Sequence, residues 1–384
     1  MKMKKLKIAV VGTGFIGKQH IEAIRRIPGT EVVAIVEQNE EMAKNVCEQM
    51  GISRYYTNYK ELLEKEEVDV VHNCTPSAMH YPISKDVIMS GKHIYCEKPL
   101  TLNTVESEEL VSLVKEHQVA AAANFNYRQN AMVKEMYERV KSGEIGNLLT
   151  VYGEYIQDWM LFDTDYDWRL DPKLGGESRA IADIGSHCFD TIQYVCDKKI
   201  VSVYADLLTV HPIRKRTEKT DGTFSSSTGK ILEEISVHSE DAAFIMVKFE
   251  DGMKGLFHVS QVVSGKKNAF KLNVCGAKSS LEWNQERSDK LWIGHRDKGN
   301  EELYVGPQYM TGEAKRYATL PNGHSVGWAD AFRNGIQDFY ESIRNQTYLN
   351  EEQGYTTFDS AHYIMKIVEA CLKSSKNEKW VDVV

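Results

Sequence analysis

The sequence has no apolar run approaching the roughly 20 residues that a membrane-spanning helix needs. It lacks a basic excess as well: 47 Lys and Arg stand against 55 Asp and Glu, a formal net charge of -8. A net acidic chain is poorly suited to nucleic acid or to an anionic membrane, so neither is expected as a partner. The seven cysteines form no C-x-x-C pair and no even framework, which fits reduced thiols rather than disulfides. There is no H-E-x-x-H, no internal repeat and no long low-complexity tract. The basic start, Met1 to Lys7, leads into an apolar stretch interrupted by Gly12, Gly14 and Gly17, with no small-residue cleavage site behind it. A cytoplasmic protein is expected. At 384 residues, 42% apolar and 27% charged, the chain suits two globular domains.

The strongest signal lies near the start. Lys7 to Val11 reads as a short buried strand, and Gly12-Thr13-Gly14-Phe15-Ile16-Gly17 follows it directly. A helical pattern then begins, with Ile16, His20, Ile24 and Ile27 at spacings of three and four. This is the G-x-G-x-x-G turn of a dinucleotide site: the first glycine makes the turn, the second admits the pyrophosphate, and the third packs helix on strand. Phe15 and Ile16 belong to the same cofactor loop. A second strand, Glu31 to Val36, ends at Glu37, twenty residues past Gly17, where an acid accepts the ribose hydroxyls and repels a 2′-phosphate. Gln38 and Asn39 follow it rather than an arginine. NAD is therefore expected in preference to NADP.

Strand and helix patterns alternate from there, giving about six βα repeats and an α/β domain over residues 1–128. Asn39 is expected to cap a helix whose inner face is Met42, Val46 and Met50. The strand through Val70 and Val71 runs out into Thr75-Pro76 and His80, candidates for lining the cofactor because ligands lie beyond the carboxyl ends of such strands. The next strand delivers Tyr95-Cys96-Glu97-Lys98-Pro99-Leu100. Pro99 excludes the α region for Lys98, and a cis Lys98–Pro99 bond would aim its ammonium. Alone, the stretch could equally be a charged turn. Another strand ends at Asn124 to Arg128.

Residues 129–384 read as an α+β domain with a mostly antiparallel, open sheet, because strand patterns now follow one another without helices. They fall near 149–156, 201–205, 243–249, 253–259 and 271–275, with Asp251-Gly252 as a hairpin turn. One face of this sheet should be free for contacts with other copies. The segment from Gln157 to Leu170 mixes aromatics and carboxylates, including Asp158 and Trp168, which suits either a polyhydroxylated ring or a plug over the core. Asp183 and His187 are four apart and share a helix face. That spacing fits a surface pair, two metal ligands or an acid/base pair, and no third metal ligand is supplied nearby. Residues 214–234 read as a polar surface loop.

Together, Gly12-x-Gly14-x-x-Gly17, Thr75-Pro76 with His80, Glu97-Lys98-Pro99 and Asp183-x-x-x-His187 resemble the Gfo/Idh/MocA oxidoreductases. The resemblance implies a Rossmann domain, a second domain with an open sheet, and a homodimer or homotetramer. It implies Lys98, Asp183 and His187 as the catalytic set, without a metal. Trp168-Arg169 looks like the family's pair at the nicotinamide end; Glu97 and Asn126 are further expected cofactor contacts. Arg128, Tyr155, Asp158, Trp168 and His324 join the catalytic set as expected substrate contacts. Gln129-Asn130 stand where many relatives have Phe and Pro. The implied reaction is NAD-dependent oxidation of a secondary hydroxyl on a sugar, anhydrosugar or polyol, with either His187 or Lys98 moving the proton. An NAD-recycling glycosidase and a non-catalytic NAD sensor are the competing readings.

Overall fold

The computed structural model describes residues 5–219, 228–349 and 352–384. The chain divides into two compact units, residues 1–126 with 332–362 and residues 127–331 with 363–384. This differs from a single boundary after residue 128, because the first unit takes back a segment from near the end of the chain.

In the first unit, six parallel strands form one sheet: β1 (Leu6–Val11), β2 (Thr30–Val36), β3 (Tyr55–Tyr56), β4 (Val70–Asn73), β5 (His93–Cys96) and β6 (Ala121–Ala123). Their order is β3-β2-β1-β4-β5-β6, so the chain reverses direction across the sheet between β1 and β4. That reversal is where a doubly wound sheet opens a crevice for a ligand. The central strands are buried on both faces, and for this reason read as continuous apolar runs. Helix α1 (Phe15–Arg25) follows β1 and buries Gly17, His20, Ile21 and Ile24. Asn39 caps α2 (Glu40–Met50), but the buried face is Ala43, Val46 and Cys47, while Met42 is exposed. The buried stripe passes through Val46 as expected but is flanked by Ala43 and Cys47 rather than Met42 and Met50.

The returning segment is stitched to the older part of the unit. Phe332 packs edge-on against His20, Tyr340 hydrogen-bonds His72, and Arg344 donates to the carbonyls of Pro28 and Gly29. The edge of β6 is closed by Ala123 N–H donating to Thr356 O at 2.9 Å. An edge strand left open would invite pairing with another chain.

The second unit carries a nine-stranded sheet. Its strands are β7 (Leu148–Ile156), β8 (Ile200–Leu208), β11 (Ala242–Phe249), β12 (Lys254–Ser260), β13 (Ala269–Gly276), β14 (Ser280–Asn284), β15 (Lys290–Gly294), β16 (Glu301–Tyr304) and β17 (Val381–Asp382). The order is β16-β15-β14-β13-β7-β12-β11-β8-β17, and only the β7/β12 pair is parallel. Asp251-Gly252 makes the β11–β12 turn, with Gly252 at φ 88°. On one face of this sheet Tyr204, Met246, Leu256 and Tyr152 lie side by side across four strands, with Phe244 stacked on His258 beside them. Met246, Leu256, Tyr152 and Phe244 are all more than a third exposed.

The expected loop at 214–234 is largely a ribbon. Strands β9 (Ile213–Lys219) and β10 (Thr228–Ser236) pair antiparallel, while residues 220–227, including Ser225 to Ser227, lie outside the described residues. A two-stranded ribbon is held by backbone hydrogen bonds and needs no apolar face, so hydrophobic patterning missed it. Its root is anchored by Arg214, which is fully buried.

Candidate active site

In the first unit, the Gly12 turn has φ 86°, and a side chain there would meet Cys74 O at 2.7 Å. A Cβ on Gly17 would stand 2.0 Å from Gly12 O, so only glycine lets α1 approach the turn. At Gly14, by contrast, no atom lies within 4 Å of where a Cβ would stand, and no side chain caps α1. The helix therefore offers its unsatisfied amides to an open space, the arrangement that receives a pyrophosphate. Phe15 is 60% exposed beside that space. Glu37 Oε2 accepts from Thr13 N at 3.2 Å and from Thr13 Oγ1 at 2.9 Å, which holds the acid next to the glycine turn. These residues fit a bound NAD.

The other first-unit residues split between the loop ends and the interior. Thr75 Oγ1 donates to Asn73 Oδ1 at 2.7 Å, shaping the turn after β4. His80 is buried between two carbonyls, Pro99 O at 2.6 Å and Thr75 O at 2.9 Å, so it ties the Thr75-Pro76 turn to the turn after β5. Burial lowers its pKa, against the opposing pull of both carbonyls. The Lys98–Pro99 bond is cis, as expected. Glu97 faces inward: its Oε1 sits 2.9 Å from His20 Nε2 and accepts from Asn124 Nδ2 at 2.6 Å, while Oε2 accepts from Lys98 N. Its burial would raise its pKa, yet His20, Asn124 and Lys98 hold it below the usual carboxylate value. Expected as cofactor contacts, Glu97 and His80 serve here as buried braces for the loops around them. Asn126 is buried with an amide nitrogen that has no protein partner among the described residues.

In the second unit, Asp183 lies in a π-helical turn, Ile181–Gly185, that runs directly into the helix Ser186–Cys196 carrying His187. Such wide turns recur at functional sites, and the four-residue spacing keeps both side chains on one face. Asp183 Oδ2 accepts from Gln261 Nε2 at 2.8 Å, and its Oδ1 stands 3.5 Å from Arg169 Nε. His187 is buried, with Tyr127 edge-on at 4.8 Å and Tyr155 tilted at 6.1 Å. The surface-pair reading of Asp183 and His187 does not hold, because His187 is only 5% exposed.

Arg169 lies 4.3 Å over the Trp168 ring and donates to Asp167 Oδ1, so the Trp168-Arg169 pair is a rigid unit beside Asp183. Asp158 accepts from Gly265 N and from Lys267 Nζ at 2.7 Å. Met160 and Leu170, from the same aromatic segment, pack with Val237 into a small core of their own. The plug reading holds for its apolar residues, while Trp168 and Asp158 stay partly exposed. Three expected substrate contacts are engaged elsewhere. Arg128 forks onto Asp190 with Nε at 2.8 Å from Oδ2, and both are buried. Tyr155 OH is shared between Tyr127 and Asn268. His324 is exposed and held to its own turn at Pro321 O.

Sequence reading missed a cluster behind Asp183. Asp241 Oδ1 accepts from Arg179 and, at 2.6 Å, from Arg214, all three being fully buried. Its Oδ2 accepts from the amides of Val210 and His211. Burial would push the Asp241 carboxyl up, but the two guanidiniums hold it below its usual range. The members lie tens of residues apart, and no local spacing signals them.

The two units match the two halves of one family: residues 6–125 match its NAD-binding Rossmann-fold domain, and residues 133–282 its C-terminal domain. Levoglucosan dehydrogenase of Pseudarthrobacter phenanthrenivorans is 25% identical over 397 residues, spanning 99% of both chains. Myo-inositol 2-dehydrogenase of Thermotoga maritima is 25% identical, covering 78% of this chain and 82% of that one. Among solved structures, levoglucosan dehydrogenase in complex with NADH and L-sorbose superposes with a TM-score of 0.88 at 25% identity over the whole of both chains. An inositol dehydrogenase homolog with NAD+ from Azotobacter vinelandii shares the fold, with a TM-score of 0.87 at 21% identity, covering 99% of this chain and 98% of that one. With both domain models matched in order and full-length relatives on either side, the chain belongs to the Gfo/Idh/MocA family of NAD-binding oxidoreductases.

Proposed function

We propose that the enzyme oxidises a secondary hydroxyl of a sugar, anhydrosugar or polyol, with Lys98, Asp183 and His187 as its catalytic set. The observation that carries this reading is a buried imidazole, His187, one turn from a carboxylate that Gln261 and Arg169 already engage. Bound NAD supplies the hydride acceptor. His187 is the base: it takes the hydroxyl proton as the carbinol C–H bond breaks, the role an imidazole most often fills in general acid–base catalysis. Asp183 orients the imidazole or a neighbouring hydroxyl. Lys98 donates a hydrogen bond to the developing alkoxide and so stabilises its charge. Trp168 and Asp158 suit a polyhydroxylated ring, one by stacking and the other by accepting hydroxyls.

The relatives support this substrate class, since a levoglucosan dehydrogenase and a myo-inositol 2-dehydrogenase are among those similar over most of this chain. The exposed row on the second sheet supports a homodimer or homotetramer formed through that face. A cytoplasmic location accords with seven cysteines that are all free thiols.

A panel of cyclic sugars, anhydrosugars and inositols, each with NAD and with NADP and followed by nicotinamide absorbance, tests the function. Turnover is expected with at least one cyclic polyol and NAD, and Lys98→Met should lower kcat by roughly 10²–10⁴-fold. Hydrolysis of a glycoside with no oxidation of any polyol would replace this reading with a glycosidase.

A further inference from the structure

Gln261 is the first residue after β12, and it is fully buried. Its side-chain oxygen accepts from Arg179 Nη1 at 2.6 Å. A guanidinium has only donors, so the oxygen of the amide must face Arg179 and the NH₂ must face the other way. There it donates to Asp183 Oδ2 at 2.8 Å. The backbone of Gln261 is held as firmly, its N–H donating to Asp241 O at 2.9 Å and its carbonyl accepting from Met160 N at 3.2 Å. Behind it, Arg179 is locked by Asp241, which also takes Arg214. Arg214 in turn donates to the carbonyls of Met160, Phe162 and Asp165.

We propose that Gln261 is a positioning residue of Asp183: it presents an amide donor whose direction is dictated by the Arg179–Asp241–Arg214 cluster, and so orients the carboxylate. The inference rests on the catalytic role assigned to Asp183 above. A donor aimed at a carboxylate favours its charged form. Other groups facing Asp183 include Arg169 on its second oxygen, His187 one turn on, and the phenols of Tyr127 and Tyr155. Arg169 and Gln261 engage opposite oxygens of the carboxylate, so the two together fix its plane. Through Arg214 the same cluster also holds the carbonyls of the aromatic segment, which gives Asp183 and that segment a common support.

The decisive variant is Gln261→Glu. It keeps an acceptor for Arg179 and so preserves every contact of a purely structural role, but it replaces the donor to Asp183 with a second carboxylate. With a substrate found in the polyol panel, kcat/KM is measured against pH for wild type, Gln261→Glu, Gln261→Met and Asp183→Asn, together with thermal midpoints. Gln261→Glu is expected to stay folded with a lowered midpoint, to lose about 10-fold or more in kcat/KM at neutral pH, and to shift the acid limb upward by ~0.5 unit or more, since an added negative charge raises the pKa of the groups beside it. Gln261→Met, which removes the donor without adding charge, should lower kcat/KM as well. Wild-type rates and acid limbs in both Gln261 variants, with Asp183→Asn inactive, would overturn the positioning role and leave the proposed function standing. Near wild-type turnover in Asp183→Asn would instead defeat the catalytic assignment. Loss of the folded state in both Gln261 variants would assign Gln261 to structure alone, and also overturns the proposal.

Discussion

The Nδ1 atoms of His20 and His72 lie 2.7 Å apart inside the first unit, so a single proton is shared between two imidazoles. With both rings neutral the chain has one direction: Tyr340 OH donates to His72 Nε2, His72 Nδ1–H to His20 Nδ1, and His20 Nε2–H to Glu97. Burial, and then the neighbouring His20, lower the His72 pKa well below its ordinary 6.5. The unfolded chain therefore binds a proton that the folded protein refuses, and stability should fall as pH drops through 6.5 and below. Each such histidine contributes a slope of up to about 1.4 kcal/mol per pH unit. His72→Phe is expected to be less stable at neutral pH but to show a shallower acid slope, read from urea unfolding at a series of pH values. An unchanged slope would mean that His72 is not held neutral.

Glu37, held by Thr13, is expected to set the cofactor preference. The carboxylate is held beside the glycine turn by two hydrogen bonds from Thr13, where a 2′-phosphate would meet like charge. Such apposition costs several kcal/mol, so kcat/KM for NAD should exceed that for NADP by about 100-fold. Glu37→Ser should narrow the gap by roughly 10-fold, chiefly by improving NADP. Equal use of both cofactors by the wild type would contradict the assignment.

Asp241 carries a structural charge. Removing it leaves Arg179 and Arg214 buried with their main carboxylate partner gone. Breaking a buried ion cluster in this way costs about 3–5 kcal/mol. Asp241→Ala should show that loss in urea unfolding, whereas breaking an exposed pair such as Lys44 with Glu40 should leave the unfolding curve where it is.

The exposed face of the second sheet offers a test of assembly. Leu256 is 54% and Met246 41% exposed, in register on neighbouring strands. If copies meet there, Leu256→Glu and Met246→Glu should reduce the mass measured by light scattering after gel filtration, without altering the far-UV spectrum. A wild-type protein that runs as a monomer at micromolar concentration would remove the expectation.

Much of the first unit was legible because its signals are local. The glycine turn, the acid ending β2, the Asn39 cap and the proline after Lys98 each act within a few residues, so spacing reports them directly. The strand runs of the second unit were legible for the same reason, and the Asp251-Gly252 turn marked its central hairpin. Neighbours were not legible: Asp190, from another helix, fills the fork of Arg128. Residues 213–219 and 228–236 looked like loop because they pair with each other rather than burying an apolar face.

By itself, then, the sequence determined the parallel sheet, the site for a dinucleotide, the preference for NAD and the residues able to do acid/base chemistry. Only tertiary structure decided that Phe332–His362 belongs with the first unit, that Glu97 turns inward to His20, and that Asp183 rests on Gln261 and a buried arginine cluster. The physical reason is range. Backbone geometry and hydrophobic period are set by adjacent residues, whereas a buried charge survives only where distant parts of the chain bring its counter-charges and hydrogen bonds to it.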